Sequence, residues 1–470
     1  MTSSAEATFD PRVAAADLGG DSYGELEASG ELKAAIDRIA RLLGWGAAER
    51  GPFDAIVRPG AKVLVKPNWV LHENQGPWGM EPLLTHASII RGVVEALLRA
   101  RPSRLTVGDA PIQSCDFDQL LEVTGLGRWG TQLQAMASIF AGIRDFRRTK
   151  CVMRGGVREA FEDQLSADHF VLFDLGEESL LEPVTDRCGS FRVTQYDPAQ
   201  MAKTHTRGRH QYLVARDVIE ADVIVNLPKL KTHKKAGLTC ALKNLIGING
   251  NKEYLPHHRV GGSGHGGDCY PGTSMIKRSL ESAYDQLNRS SSGAARRAWA
   301  AGVRLLDRVA RFHGDRLGVE GSWSGNDTIW RTCLDLNRIL IYGRSDGTLG
   351  NTPARRVIHI VDAIIAGQGD GPLAPQPFAL GLLLASESAA CVDWVGARLL
   401  GYDPMRIPMV REAFGRFRWP LCSFNPNAVE LLGDLGAGGA ERVLAAYHPA
   451  KPVIYPIGWL DALSEGHATR

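Results

Sequence analysis

Apolar and polar positions along this chain alternate between helical and extended periods, and their order predicts the architecture. Glu31–Leu43 carries apolar side chains at helical spacing, and Lys62–Val65 is a short β-rich run that stops at Pro67. Across His86–Ala100, residues Ile89, Ile90, Val93, Val94, Leu97 and Leu98 share one broad helical face. Leu105–Val107 is a second strand and ends in Gly108-Asp109-Ala110-Pro111. A strand, a helix and a strand, each strand followed by a polar loop, form a βαβ unit. Ala221–Val225 reads as a buried strand that opens into Asn226-Leu-Pro-Lys-Leu-Lys-Thr-His-Lys-Lys, and a helix is expected to begin near Gly237. The strand Val357–Val361, the loop Asp362–Pro372, the strand Leu380–Ala385 and the helix Ala389–Leu400 give a second α/β passage.

The expected fold is therefore α/β and bilobal, with mostly parallel sheets flanked by helices. Residues 1–30 read as a weakly ordered arm, 31–405 as the α/β body and 406–470 as a C-terminal extension. Within the body, 249–272 is a Gly/His-rich loop expected to close over a ligand, and 273–342 is a helical insertion. Thr273–Asn288 and Ala294–His313 are its first two helices, and Asp327–Ile341 is another. The second sets Arg296, Arg304, Arg308 and Arg311 around an apolar stripe of Trp299, Val303, Leu306 and Ala310. Docking of that stripe onto the protein's own core is the expectation, and a membrane-surface helix is the alternative. Gly321–Arg331, with two tryptophans, is a lid or a rigid cap.

Composition narrows the function classes. With 44% apolar and 23% charged residues, the chain is globular, and its net charge of +2 gives no global field for nucleic acid or acidic lipid. No apolar run is long enough to cross a membrane. The N-terminal residues lack the basic start and apolar middle of a secretory leader, so the expected compartment is the cytoplasm. The 8 cysteines form no C-x-x-C, and no iron–sulfur cluster motif is present.

The candidate chemistry centres on Asn226–Asn244. Lys229, Lys231, Lys234 and Lys235 lie between a buried strand and an expected helix start, a setting suited to phosphate or carboxylate. Asn226, Thr239 and Asn244 are polar partners in the same stretch. Lys66, Asn68 and Asp109 follow the ends of the first two strands, where ligands of parallel sheets bind. His233 is the group expected to move a proton, with the neighbouring lysines disfavouring its imidazolium form. Lys243 is the expected electrostatic stabiliser or covalent tether. Gly369 and Gly371, in Gly367-Gln-Gly-Asp-Gly-Pro372, allow close backbone approach to a ligand. Asp362 and Asp393 are further candidate polar groups. His257, His258, His265 and Asp268 are metal-ligand candidates, although their spacing matches no established site. Aromatic residues are not interleaved with the lysines, which disfavours nucleic acid.

The segments Lys66-Pro-Asn-Trp-Val70, Gly108–Pro111, Asn226–Gly247, Gly367–Pro372 and Cys391–Gly401 together resemble an uncharacterised family, domain of unknown function 362. The resemblance implies an α/β protein and assigns no activity; some members carry a ferredoxin-like cluster domain, which this chain lacks. Where members commonly have Glu before Gly-x-Gly-Pro, this chain has Gln368. A local stretch, Lys229, His233, Ala236, Gly237, Thr239 and Lys243, is also similar to nickel-dependent lactate racemases. That similarity implies an acid–base or metal-site role for His233, a cofactor tether at Lys243 and a further site histidine at His257 or His258. Cys240-Ala241 departs from the racemase pattern, as does the lack of its acidic-arginine cofactor loop.

Together these readings predict an enzyme of isomerase, racemase or redox type acting on an anionic small molecule. A divalent metal or nucleotide-like group is the expected kind of cofactor. The alternative is a non-catalytic binding or accessory protein for a charged metabolite. Neither the substrate nor the oligomeric state is encoded legibly.

Overall fold

A computed structural model describes residues 9–46, 51–154, 157–186, 189–194, 196–445, 447, 449 and 451–464. Its centre is one eleven-stranded sheet, to which both α/β passages contribute. In chain order the strands are β1 (Arg12–Asp17), β2 (Lys62–Pro67), β3 (Arg104–Asp109), β4 (Phe140–Asp145), β5 (Val223–Leu227), β6 (Lys229–His233), β7 (Gly237–Thr239), β8 (Arg356–Gln368), β9 (Gln376–Ser386), β10 (Glu430–Gly433) and β11 (Gly438–Gly439). They lie in the order β11-β10-β1-β9-β8-β5-β2-β3-β4, while β6 pairs with β8 and β7 with β6. From β8 through β5, β2 and β3 to β4, all pairs are parallel.

Period-two alternation sends neighbouring side chains into two separate cores. Val63, Val65, Val223, Val225 and Leu227 face one core, built with α1 (Tyr23–Ser29), α2 (Glu31–Leu42) and α3 (Ala87–Arg99). Leu64 and Ile224 face the other. There they meet α7 (Ile329–Tyr342) and α8 (Ala389–Leu399), which follow α4 (Ala241–Asn244), α5 (Met275–Arg289) and α6 (Gly293–Phe312). The helices predicted over 31–43, 86–100 and 389–400 thus form within a residue or two of their expected ends. Among the described residues, no helix is long and apolar enough to cross a membrane.

Three expectations are corrected. The arm predicted over 1–30 instead supplies β1 and α1 where it is described. Val13, Ala14, Ala15 and Ala16 are all fully buried because β1 lies between β9 and β10, where small side chains fit beneath helices on both faces. Residues 1–8 lie outside the described part. The loop expected over Asp362–Pro372 is strand as far as Gln368. The helix expected near Gly237 is the strand β7, a hairpin partner of β6, with Lys231 opposite Thr239. Gly237 makes the hairpin possible: its φ is +81°, and a Cβ there would stand 2.9 Å from the Trp459 ring.

The strand order places the site. The chain runs from β2 outward to β3 and β4, then returns to β5 on the other side of β2. The order therefore reverses between β2 and β5, and the carboxyl ends of strands at such a point frame a crevice. Lys66 ends β2, Asp109 ends β3, and β5 leads through Pro228 into Lys229.

Candidate functional site

Two lysines at this crevice are part of closed ion pairs. Lys66 Nζ lies 2.8 Å from Asp109 Oδ1, both fully buried. Asp109 also accepts hydrogen bonds from the backbone N–H groups of Trp69 at 2.7 Å and Ala110 at 2.9 Å. The pair presses against Gly247, where a Cβ would meet Asp109 Oδ1 at 1.9 Å, so only glycine fits. Lys229 Nζ lies 2.6 Å from Asp362 Oδ2, also in the interior. It donates to the Tyr23 hydroxyl at 2.8 Å, and that hydroxyl donates to Asp362 Oδ1 at 2.6 Å. Lys229 and Asp362 thus tie β6 to β8 and α1. This corrects the anion-binding role expected of Lys229.

Lys231, Lys243 and Lys252 have no carboxylate partner among the described residues. Lys231 Nζ donates to the Leu83 carbonyl at 2.6 Å. Lys252 Nζ reaches only the Ala110 carbonyl, at 3.5 Å. Lys243 makes no hydrogen bond or ion pair to any described residue, and its side chain is partly exposed. Burial lowers the pKa of all three, that of Lys252 to about 7. The Lys243 ammonium adds to the depression at Lys66, Lys231, His233, Lys235, Lys252 and His257, so all six lie within its electrostatic reach.

Two histidines lie within the field of these lysines, in opposite tautomers. His233 Nδ1 accepts the backbone N–H groups of Lys235 at 3.0 Å and Ala236 at 3.2 Å, so its proton sits on Nε2. His257 Nδ1 lies 2.6 Å from the Leu255 carbonyl and must donate to it, leaving Nε2 as an acceptor. Burial first, and the surrounding lysines second, hold both rings well below the usual histidine range, hence neutral. His257 is further fixed through its own carbonyl, which accepts from Asn326 Nδ2 at 2.9 Å. Around this cluster, Asn68 Oδ1, Thr239 Oγ1 and Asn244 Oδ1 are buried without a hydrogen-bond partner.

Other expected site residues have structural duties. Asn226 Nδ2 donates to the Ala241 carbonyl and bonds His359 Nδ1, while its Oδ1 accepts from Asn244 Nδ2 at 2.7 Å. The Gly369 carbonyl accepts the Thr232 hydroxyl at 2.8 Å and the Gly371 carbonyl accepts Lys234 N–H at 3.0 Å. That loop straps β6 from behind. At the start of the short helix α4, Asp393 Oδ1 accepts from Ala241 N at 2.6 Å and Leu242 N at 3.4 Å, so a side-chain carboxyl already occupies part of the anion cradle expected at the helix start.

The metal-ligand candidates are not gathered. Asp268 accepts from Arg259 N, Asp327 N and the Thr328 hydroxyl, and His265 bonds Arg278 instead. His258 is buried with Nδ1 unpartnered, apart from Asp268's bonds. Among the described residues no group of three or more His, Cys, Asp or Glu side chains is placed to hold a metal ion. Nor is 249–272 an open flap: Asn249, Lys252, His258, Asp268 and Cys269 are buried, and Trp323 Nε1 donates to the Asp268 carbonyl at 2.8 Å. The tryptophan-bearing segment packs onto this stretch through that bond. Reading the sequence overlooked Lys252; its only signal was a lone lysine two residues after Gly250 in a stretch read as loop.

Residues 174–398 match the family model described as Domain of unknown function (DUF362). A thylakoid-associated protein of Synechocystis sp. is 24% identical over 220 residues, which are 46% of this chain and 43% of that relative. The chain therefore matches less than half of that relative's length. A crystal structure of a Thermotoga maritima protein aligns over 77% of this chain and 56% of its own, at 10% identity and a TM-score of 0.33. Over residues 174–398, the stretch that supplies Lys231, His233, Lys243, Lys252 and His257, this chain resembles the family described as Domain of unknown function (DUF362).

Proposed function

We propose that the protein is an enzyme that binds a carboxylate- or phosphate-bearing small molecule, or a nucleotide-like cofactor, among Lys231, Lys243 and Lys252. The carrying observation is that two buried lysines, Lys231 and Lys252, and the partly exposed Lys243 have no carboxylate partner among the described residues. Buried charge without a counterion is costly, and an incoming anion relieves that cost. The unpartnered oxygens of Asn68, Thr239 and Asn244 add acceptors for hydroxyl groups of the same ligand.

The two histidine tautomers support proton transfer next to the anion. His257 Nε2 is a neutral base. His233 Nε2–H is a neutral donor, suited to hydrogen-bonding the oxygen on which charge develops when that base removes a proton from the adjacent carbon. Bound anion offsets the lysine field and raises the proton affinity of His257 toward working range. Isomerisation by one base needs no more than this pair; racemisation would need a second group to return the proton to the opposite face, and a redox reaction a cofactor. His233 is thus read as donor, where the sequence had pointed to an acceptor. A cytoplasmic setting remains part of this reading.

Calorimetric titration of the full chain with inorganic phosphate and with a 2-hydroxycarboxylate tests it, alongside native mass spectrometry of the protein as purified. Saturable binding to the parent, weakened in Lys243→Met, is expected. Equal heats from parent and Lys243→Met, with no bound small molecule in the mass spectrum, would sink the anion site. If anions bind but the 2-hydroxycarboxylate does not exchange its α-hydrogen with deuterated water in the presence of parent protein, the non-catalytic binding reading takes over.

A further inference from the structure

The helix α6 has two apolar faces, and the structure uses one. Its buried side is formed by Val303 and Ala310, and Val303 joins Leu280 and Ala283 of α5 in a small satellite core. On the opposite side Ala294, Ala298, Ala301, Leu305, Val309 and Phe312 recur at intervals of three and four, and all six are exposed. Leu305 is 63% and Phe312 88% exposed. Beside this stripe run Arg297, Arg304, Arg308 and Arg311, also exposed and on one flank. Across its 20 residues α6 holds five arginines and one acid, Asp307, which lies toward the buried side and pairs with Arg311 at 2.8 Å.

From this arrangement we infer that α6 is a docking surface for an anionic lipid bilayer, lying flat in the headgroup region. Three features select that occupant. The stripe is on a convex helix about 30 Å long, which suits a flat, laterally extended apolar boundary better than a groove. The arginines flank the stripe at the height where lipid phosphates lie, and guanidinium groups bind phosphate in forked pairs. A nucleic acid would satisfy the arginines yet leave Leu305 and Phe312 in water. A second copy would cover the stripes but crowd two arginine rows into one rim with little acid to offset them. The expectation that this helix only docks onto the protein's own core holds for its Val303 side alone.

The test is co-sedimentation of the full chain with phosphatidylcholine vesicles, with and without phosphatidylglycerol. Binding should require phosphatidylglycerol and should fall with added salt. Arg304→Gln combined with Arg308→Gln should lower partitioning about 30-fold, since each basic residue near an anionic surface contributes about 1 kcal/mol. Leu305→Glu combined with Phe312→Glu should abolish binding while leaving the melting temperature unchanged, because both side chains already face water. Failure of the parent to bind phosphatidylglycerol vesicles at low salt overturns the inference. So does undiminished binding by the Leu305/Phe312 variant, or a dimer without vesicles that this variant splits. The arginine pair reads out independently should the glutamate pair disturb folding.

Discussion

Lys66 and Lys229 are as deeply buried as Lys231 and Lys252, yet the two sets have opposite meanings. Each of the first two meets a carboxylate within 3 Å, Lys66 at 2.8 Å and Lys229 at 2.6 Å. Each carboxylate is in turn held by backbone N–H or hydroxyl groups, so both circuits are closed and serve the fold. Lys231, Lys243 and Lys252 face carbonyls or nothing, so their circuit is open. Burial alone therefore does not separate the lysines; the presence or absence of a counterion does. Five lysines that look alike in sequence divide into fasteners and a set without carboxylate partners among the described residues, the set proposed to bind the anion.

That division can be broken most severely at a fastener. Lys229→Ala strands Asp362 in the interior and should cost about 3–5 kcal/mol. Urea denaturation measures it, and a loss below 1 kcal/mol would place Lys229 among the surface-like lysines instead. Next in size is the proton-transfer pair. With a turnover assay in hand, His233→Gln and His257→Gln should each lower turnover by about 10²–10⁴-fold with substrate affinity largely kept. Parental turnover in both variants would leave the site as a binding surface only.

Lys243→Met separates the sets at intermediate scale. It should weaken phosphate binding about 10- to 100-fold, the worth of one charge-assisted hydrogen bond, and leave the melting temperature almost unmoved. A large drop in melting temperature would show Lys243 to be a hidden fastener.

Lys252→Met gives an effect of opposite sign: the empty protein should gain about 1–4 kcal/mol. Its pH dependence is fixed by linkage. Unfolded, Lys252 keeps its proton to about pH 10.4; folded, it loses it near pH 7. Between those values the unfolded chain binds more protons, so this lysine makes the parent gain stability as pH rises through that window. Below it, the penalty is complete. The advantage of Lys252→Met should accordingly be greatest below pH 7 and shrink toward pH 10, as thermal melts across that range would show. Phosphate affinity of the parent should fall as pH passes upward through about 7. A flat profile would mean that Lys252 stands outside the site.

The central elements were legible because their information is local. Val63–Val65 and Val223–Val225 alternate between two cores, and the helix over Ala87–Arg99 carries its apolar face in its own spacing. The misreadings have non-local causes. Ala14–Ala16 look like a featureless arm until β9 and β10 enclose them. Gly237–Thr239 precede a helix-like run but pair with β6 because Gly237 turns the chain against Trp459. Gly369 and Gly371 invite a ligand on paper; in the fold their carbonyls are taken by Thr232 and Lys234.

By itself, then, the sequence determined an α/β chain with a mostly parallel sheet, and it concentrated lysine and histidine after the strand Val223–Leu227. It carried those facts because period and strand-to-loop order are written in neighbouring residues. Tertiary structure alone decided which lysine meets which carboxylate. Asp109 reaches Lys66 across adjacent strands, Asp362 reaches Lys229 from β8, and Asp393 reaches Ala241 from α8. Among the described residues no aspartate is set aside for Lys231, Lys243 or Lys252, and no local pattern records that. Ion pairing depends on distances of a few ångströms between segments far apart in the chain, and the energy of a buried charge depends on what those segments bring to it.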